Sequence, residues 1–294
     1  MVDAVLAALY AHPFKIHRPD EQRVPFVFAS PHSGRLYPAG FVAESRLDPL
    51  SLRRSEDAYA DVLFGHAVAL GAPMIAARFP RAFLDVNRAA SELDPAMFEG
   101  TLNVRIDASN ARVNAGLGVI PRIVRDGADI YRRKLASSEA EERIARLHAP
   151  YHAALARLID DTRRRFGIAI LIDCHSMPSA ATVPDIVLGD RFGASALPLV
   201  TRLAESAFEN TGFTVARNAP YAGGHTTHLY GLPESGVHAL QIEVNRALYL
   251  DERTIELNSD FPRIQARVDA ALAEFTGSKL DRLGLGDVPP LAAE

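Results

Sequence analysis

LeuIleAspCysHisSerMetProSer, residues 171–179, is an apolar run of strand type that does not simply stop. It ends in Asp173, Cys174, His175 and Ser176, four polar or reactive side chains where a core strand would run into a plain turn. With the apolar residues before it, it predicts a buried strand over 168–174, delivered by a long helical stretch over 128–166 that ends at Gly167 and is interrupted at Pro150. Outward from that pair the same alternation continues. Strands are expected at 24–30, 73–79, 184–189, 213–217 and 237–244, and helices at 56–70, 194–210 and 259–276. Such alternation predicts an α/β sandwich with a largely parallel central sheet. Residues 100–127, rich in Gly, Asn and Arg, read as an excursion from the sheet, and the last dozen residues, with Pro289 and Pro290, as a frayed tail.

Composition limits what such a sheet can serve. The chain has 294 residues, 48% hydrophobic and 23% charged, with a net charge of -4, which suits one large domain or at most two. We expect a single catalytic domain over 1–294 with its core at about 25–275. No apolar segment approaches the roughly 20 residues of a membrane span, and MetValAspAlaValLeuAlaAlaLeu at the start carries an acid and no cleavage signal, so a cytoplasmic protein without a membrane partner is expected. A mildly acidic chain offers nucleic acid no electrostatic attraction, and Arg163, Arg164 and Arg165 read as a solvated helix face. One cysteine excludes an internal disulfide and a Cys-rich zinc cluster, so a metal site must draw on His, Asp and Glu.

Placing the strands gathers those residue types. His32 and Ser33 follow the first strand, Asp173 and His175 close the strand after the long helix, and Glu243 and Asn245 end the strand from 237. Sites in open α/β sheets form beyond the carboxyl ends of strands, which makes His32, His175 and Glu243 candidates for one site. Alternation puts Asp173 and His175 on one face and Cys174 on the other, which argues against a Cys–His dyad. Two histidines and a carboxylate are the set a catalytic zinc prefers. For the acid, Glu56 and Asp57 open the predicted helix after Ser55, where capping and dipole compensation compete with ligation. His148 and His152 are four apart, but Pro150 lies between them and no Glu follows His148. His225 and His228 sit in a glycine-rich segment read as a substrate-binding loop, and His238 as structural. Ser33 and Ser176 lie in no G-x-S-x-G elbow, so their hydroxyls support a ligand shell rather than attack, and neither a G-x-G-x-x-G nor a phosphate loop is present.

SerProHisSerGly at 30–34, SerGluAspAlaTyr at 55–59, PheProArgAlaPheLeuAspValAsnArg at 79–88, AspCysHisSerMetProSer at 173–179 and the string from Gly223 to Glu252 together resemble the N-formylglutamate amidohydrolase family, from about residue 25 to 275. The resemblance implies a three-layer sandwich with a mixed, largely parallel sheet flanked by helices, as in zinc carboxypeptidases and the aspartoacylase group. It implies one zinc ion held by His32, His175 and an acid of the 55–59 segment, Asp57 rather than Glu56. It implies Glu243 as general base, and Asn87 and Arg88 as the grip on a substrate carboxylate, a task that suits the planar fork of arginine. Arg81, with Arg78 as its near rival, is implied for the oxyanion, and His225 and Ser33 for substrate contact. Asp85 has a structural alternative, orienting an arginine or a ligand histidine. The activity implied is hydrolysis of N-formyl-L-glutamate to formate and L-glutamate in histidine degradation, on a small N-acyl amino acid partner. A deacylase or carboxypeptidase acting on another acyl amino acid, and a binding protein that lost the chemistry, are the competing expectations. The presence of ligands, base and arginine together argues against the last. Many relatives are expected to carry an arginine within or just after 225–228, where this chain has HisThrThrHis followed by LeuTyr.

Overall fold

Ala169–Met177 forms one strand whose nine residues are all buried, longer than expected, so that His175 and Ser176 lie within it rather than at its end. The computed structural model describes residues 3–278 apart from 105, 108, 109, 125, 126 and 181. The expected carboxyl-terminal tail falls outside the described residues. The strands of the main sheet are β1 (Phe14–His17), β2 (Phe26–Ser30), β3 (Met74–Ala77), β4 (Ala169–Met177), β5 (Ile186–Gly189), β6 (Val215–Arg217) and β7 (Val237–Asn245). They form a seven-stranded sheet in the order β1-β3-β2-β4-β7-β5-β6. β4 runs parallel to β2, with Phe26 opposite Ile170 and Ala29 opposite Asp173. It also runs parallel to β7, from Ala169 opposite Val237 to Met177 opposite Asn245. β5 lies antiparallel to β7 and parallel to β6, which makes the sheet mixed. The continuous Ile, Leu and Val of β4 and β7 are what a parallel strand covered on both faces requires.

The chain divides into two compact units, Met1–Lys15, Pro31–Ala58 and Ala76–Ala154 in the first, and Ile16–Ser30, Tyr59–Ile75 and Leu155–Glu294 in the second. In the second unit, helices flank the sheet with one apolar face each. Pro198–Asn210 buries Val200, Ala204, Ala207 and Phe208, and Phe261–Thr276 buries Ile264, Val268, Ala271, Leu272 and Phe275, both at helical spacing. The Phe275 ring meets Phe26 of β2 edge-on at 5.0 Å. In the first unit, the buried Arg143 guanidinium stacks 3.9 Å from the Phe83 ring centroid and donates to Phe83 O and the Tyr131 hydroxyl at 3.2 and 2.9 Å.

Two helical expectations need correction. The helix expected over 56–70 is only Ala60–Leu63 and a 3-10 turn at Gly65–Val68, because Tyr59 adopts a left-handed φ of 63° and resets the chain direction. Glu56 and Asp57 therefore precede the helix and do not cap it. The expected 128–166 helix starts only at Ser137, runs as Ser137–Arg143, and passes through a π segment at Ile144–His148 into Ala149–Phe166. Pro150 does not break it. Proline has no N–H for the carbonyl four residues back and crowds it, and the wider π turns just before Pro150 absorb that clash. The residues ahead of Ser137 form isolated bridges, Ser45 with Tyr131 and Ile123 with Asp129, and a short strand at Leu135–Ala136.

His238, expected to be structural, is fully buried in β7, and among the described residues neither ring nitrogen has a hydrogen-bond partner. Burial pulls its pKa down to about 4. The unfolded chain takes up the proton near pH 6.5 and the folded protein only near 4, so stability falls by about 1.4 kcal/mol per pH unit between them. Urea unfolding from pH 7 to pH 4 should show that slope, and His238→Leu should flatten it while raising stability at pH 7 by roughly 1 kcal/mol or more. An unchanged slope in the variant would assign it elsewhere.

Candidate metal centre and active site

In the first unit three separated motifs are sewn together by backbone. Asp57 N donates to His32 O at 3.1 Å, which fastens the 55–59 segment to the 30–34 segment. Leu36 N donates to Arg78 O, and a Cβ on Gly34 would stand 2.1 Å from Phe79 O, so only glycine lets these strands of chain approach. His32 and Asp57 are buried, and so is Ser33 beside them.

The carboxylates around His32 have distinct tasks. His32 Nε2 lies 2.7 Å from Asp85 Oδ1, and an ionised carboxylate only accepts, so Nε2 carries the proton. Burial would raise the Asp85 carboxyl, but the charges of His32, Arg81 and Arg88 outweigh it and hold it well below the usual range. Asp85 also accepts from Arg81 Nε at 2.9 Å and from the Asn87 amide at 2.8 Å. Its structural alternative thus holds for both an arginine and a histidine. On the other side of the ring, Nδ1 faces Asp57 Oδ2 at 3.3 Å. With the ring neutral those are two lone pairs aimed at each other, an arrangement that needs a cation or a second proton between them. Glu56 is otherwise engaged, accepting from the Tyr37 hydroxyl at 2.7 Å and from Arg53 Nε at 3.1 Å.

Arg88 and Asn87 are buried in the same unit. Arg88 Nε donates to Leu117 O and Nη1 to Asn87 O at 2.9 and 2.7 Å, which fixes the plane of its fork. Burial lowers its pKa, with Asp85 opposing that change. Arg78, the rival to Arg81, instead donates to His12 O. His148 and His152 donate from Nε2 to Arg88 O and Val86 O, both at 2.9 Å, with ring centroids 4.4 Å apart. Discounted as a metal site on sequence grounds, this pair braces the 85–88 loop. The four-residue spacing held that signal, since it puts both rings on one helix face.

In the second unit the parallel register places His175 opposite Glu243 and Asp173 opposite Gln241, all four on one face. His175 Nε2 lies 2.9 Å from Asp173 Oδ2, so Asp173 fixes the tautomer and leaves the lone pair at Nδ1. Gln241 Nε2 donates to Glu243 Oε1 at 2.8 Å. Arg246 turns to Ser176 instead, from Nε to Oγ at 3.1 Å, so Ser176 serves this arginine. Segment 225–228 is not a loop: His225–Tyr230 is a short helix after Gly224, with His225 half-buried and His228 exposed. Together His32, Asp57 and His175 make a buried group that could hold a metal ion.

Comparison with known proteins decides the lineage. The model of the N-formylglutamate amidohydrolase family matches residues 24–250. The chain belongs to this family. It is 34% identical over 245 residues to the N-formylglutamate deformylase of Pseudomonas aeruginosa, covering 79% of this chain and 84% of that one. It is 32% identical over 243 residues to the Pseudomonas putida N-formylglutamate deformylase, covering 78% and 83%. The crystal structure of N-formylglutamate amidohydrolase from Ralstonia eutropha superposes with a TM-score of 0.84 at 35% identity, over 90% of this chain and 98% of that one. A gene product of Agrobacterium tumefaciens, 17% identical with a TM-score of 0.64, shares the fold over 93% and 97% of the two chains. The amidohydrolase family match contains every motif from His32 to Glu243.

Cys174 completes the site by its exclusion. It is fully buried, and burial together with Asp173 pushes its thiol well above the usual range. A thiol reagent should therefore leave the native amidohydrolase unlabelled and label it once on unfolding, and Cys174→Ala should keep full activity. Rapid labelling of the native protein would contradict this packing.

Proposed function

We propose that this chain is a zinc-dependent amidohydrolase that cleaves N-formyl-L-glutamate to formate and L-glutamate, a cytoplasmic step of histidine degradation. One observation carries the metal: His32 Nδ1 faces Asp57 Oδ2 at 3.3 Å while Asp85 holds the proton on the opposite nitrogen. His32, Asp57 and His175 would be the ligands, two imidazoles and one carboxylate, a set suited to zinc. No membrane contact enters this reading; no described helix is long and apolar enough to cross a bilayer.

Zinc, when bound, supplies a polarised carbonyl and a water whose pKa falls toward about 7. The protein's own groups carry the remaining work. The Glu243 carboxylate takes the proton of the attacking water and returns it to the departing amide nitrogen, so one group serves as base and then acid. Gln241, donating to Oε1, fixes which oxygen of Glu243 is used. Arg88, its plane set by two backbone carbonyls, and Asn87 grip a substrate carboxylate. Arg81, steered by Asp85, steadies the developing oxyanion; Ser33 and His225 complete the substrate contacts. The names of the Pseudomonas and Ralstonia relatives support formylglutamate as the substrate.

Elemental analysis and formate release, measured on the same preparations, test both halves. Wild type should hold near-stoichiometric metal and turn over; His175→Ala should lose both. Glu243→Gln should keep its metal and lose about 100- to 10,000-fold in kcat. Asp85→Asn should weaken metal retention about 10- to 100-fold in competition with a chelator, the cost of a lost carboxylate partner to the ligand histidine. Metal without formate release would move the substrate to another acyl amino acid, and metal-free active protein would end the zinc reading.

A further inference from the structure

The second unit contains a run of backbone that nothing in the proposed chemistry uses. Arg191 and Phe192 adopt φ of 55° and 57°, and Gly193 follows at 84°. Two successive side-chain-bearing residues in the left-handed region persist only where their surroundings over-determine them. Here they do. Asp190 Oδ1 accepts from the Gly193 amide at 3.0 Å and from Asn218 Nδ2 at 2.8 Å, and Oδ2 accepts from the Thr201 hydroxyl at 2.7 Å. Asn218 Oδ1 accepts from the amides of Asp190 and Phe192 at 3.1 and 3.3 Å, and the Arg191 amide donates to Ala222 O at 2.7 Å.

What this brace presents is the Arg191 side chain. It is half-buried, and among the described residues its guanidinium has no hydrogen-bond or ion-pair partner. Arg217 is engaged with Glu205, Arg246 with Ser176 and Arg267 with Thr211 O.

Its place follows from the sheet. Gly189 stands opposite Gln241 in the antiparallel β5–β7 pair, so a side chain there would share the face of Gln241 and Glu243. A Cβ on Gly189 would meet Ala222 C and Gly223 N at 2.8 Å, which shows the 222–223 backbone crossing that face. A Cβ on Gly223, at φ 123°, would in turn stand 2.9 Å from Arg191 Cγ and 2.6 Å from Thr227 Oγ1. The stem of Arg191 therefore runs beside this segment, on the sheet face that carries Glu243.

We infer that Arg191 forms a carboxylate-binding subsite for the side chain of the acyl amino acid, the guanidinium pairing with the γ-carboxylate of the glutamyl moiety. The inference rests on the hydrolase reading above. It supplies a cation beside HisThrThrHis at 225–228, from a neighbouring segment that packs on the same backbone.

Kinetics on matched substrates test it. N-formyl-L-glutamate and N-formyl-L-glutamine differ only in whether that side chain ends in a carboxylate. Wild type should prefer the glutamate. Arg191→Met, whose unfolding midpoint should match wild type, should raise KM for the glutamate substrate roughly 100-fold, with kcat largely kept and the glutamine substrate unaffected. Arg191→Lys, with the charge but no fork, should fall between. A preference that survives in Arg191→Met, or an equal loss on both substrates, would overturn the subsite. Should wild type release no formate from either compound, the hydrolase reading fails separately. Calorimetric titration with L-glutamate then decides the subsite: weaker binding in Arg191→Met upholds it, and unchanged binding or none in wild type overturns it.

Discussion

The parallel register between Ala169–Met177 and Val237–Asn245 is the constraint on which the proposed chemistry of the second unit rests. Side chains alternate with a period of two, so a slip of one residue would turn His175 and Glu243 to opposite faces of the sheet. The register resists slipping because both strands are buried along all nine residues, with Ile170, Ile172 and Cys174 packed away from the site and Asp173 and His175 toward it. A slipped strand would bury Asp173 among hydrocarbon and strand the apolar side chains against Gln241 and Glu243. An unpaired buried carboxylate costs several kcal/mol, a large share of the roughly 5–15 kcal/mol by which domains are stable. The same alternation that builds the core therefore specifies the face that carries His175 and Glu243.

Within each unit, carboxylates are sorted by the partner each has. Asp85 and Asp173 each hold one histidine nitrogen, and Asp85 also accepts from Arg81 and the Asn87 amide. Glu56 is occupied by Tyr37 and Arg53, which leaves Asp57 as the acid turned to His32. The choice between Glu56 and Asp57, two adjacent residues of like chemistry, is thus made by side chains outside the motif, with Tyr37 well upstream of it. Nothing in the spacing of the 55–59 segment contains that information.

Much of the rest was legible. The apolar run before Asp173 and the alternating strands announced the sheet, and side-chain alternation alone separated Cys174 from Asp173 and His175. What escaped the sequence was decided by backbone conformation or by long-range packing. Tyr59 at positive φ shortened the predicted 56–70 helix, since tyrosine gives no signal of a left-handed turn. Residues 128–136 were drawn into bridges with Ser45 and Ile123 although their local pattern suited a helix. Pro150 misled in the other direction, because a π turn can accommodate what an α turn cannot. The 225–228 segment looked like a loop because its glycines obscured a helix barely longer than one turn.

The histidines show why residue type alone cannot assign a metal site. His32 and His175 donate their distal N–H to carboxylates, whereas His148 and His152 donate theirs to backbone carbonyls of the 85–88 loop. A negative acceptor raises the electron density and basicity of the opposite nitrogen and locks the tautomer that exposes its lone pair; a neutral carbonyl locks the tautomer with far less effect on basicity. His238, without a partner at either nitrogen, has neither aid, and burial alone keeps it neutral. These imidazoles, all buried or half-buried, thus fall into three classes by what their second nitrogen meets. Only the class backed by Asp85 and Asp173 combines a fixed tautomer, an ionised partner and, for His32, an opposing carboxylate at 3.3 Å. That combination distinguishes a candidate ligand from a brace, and it arises from acids placed by the sheet and the 79–88 turn rather than from the histidines themselves.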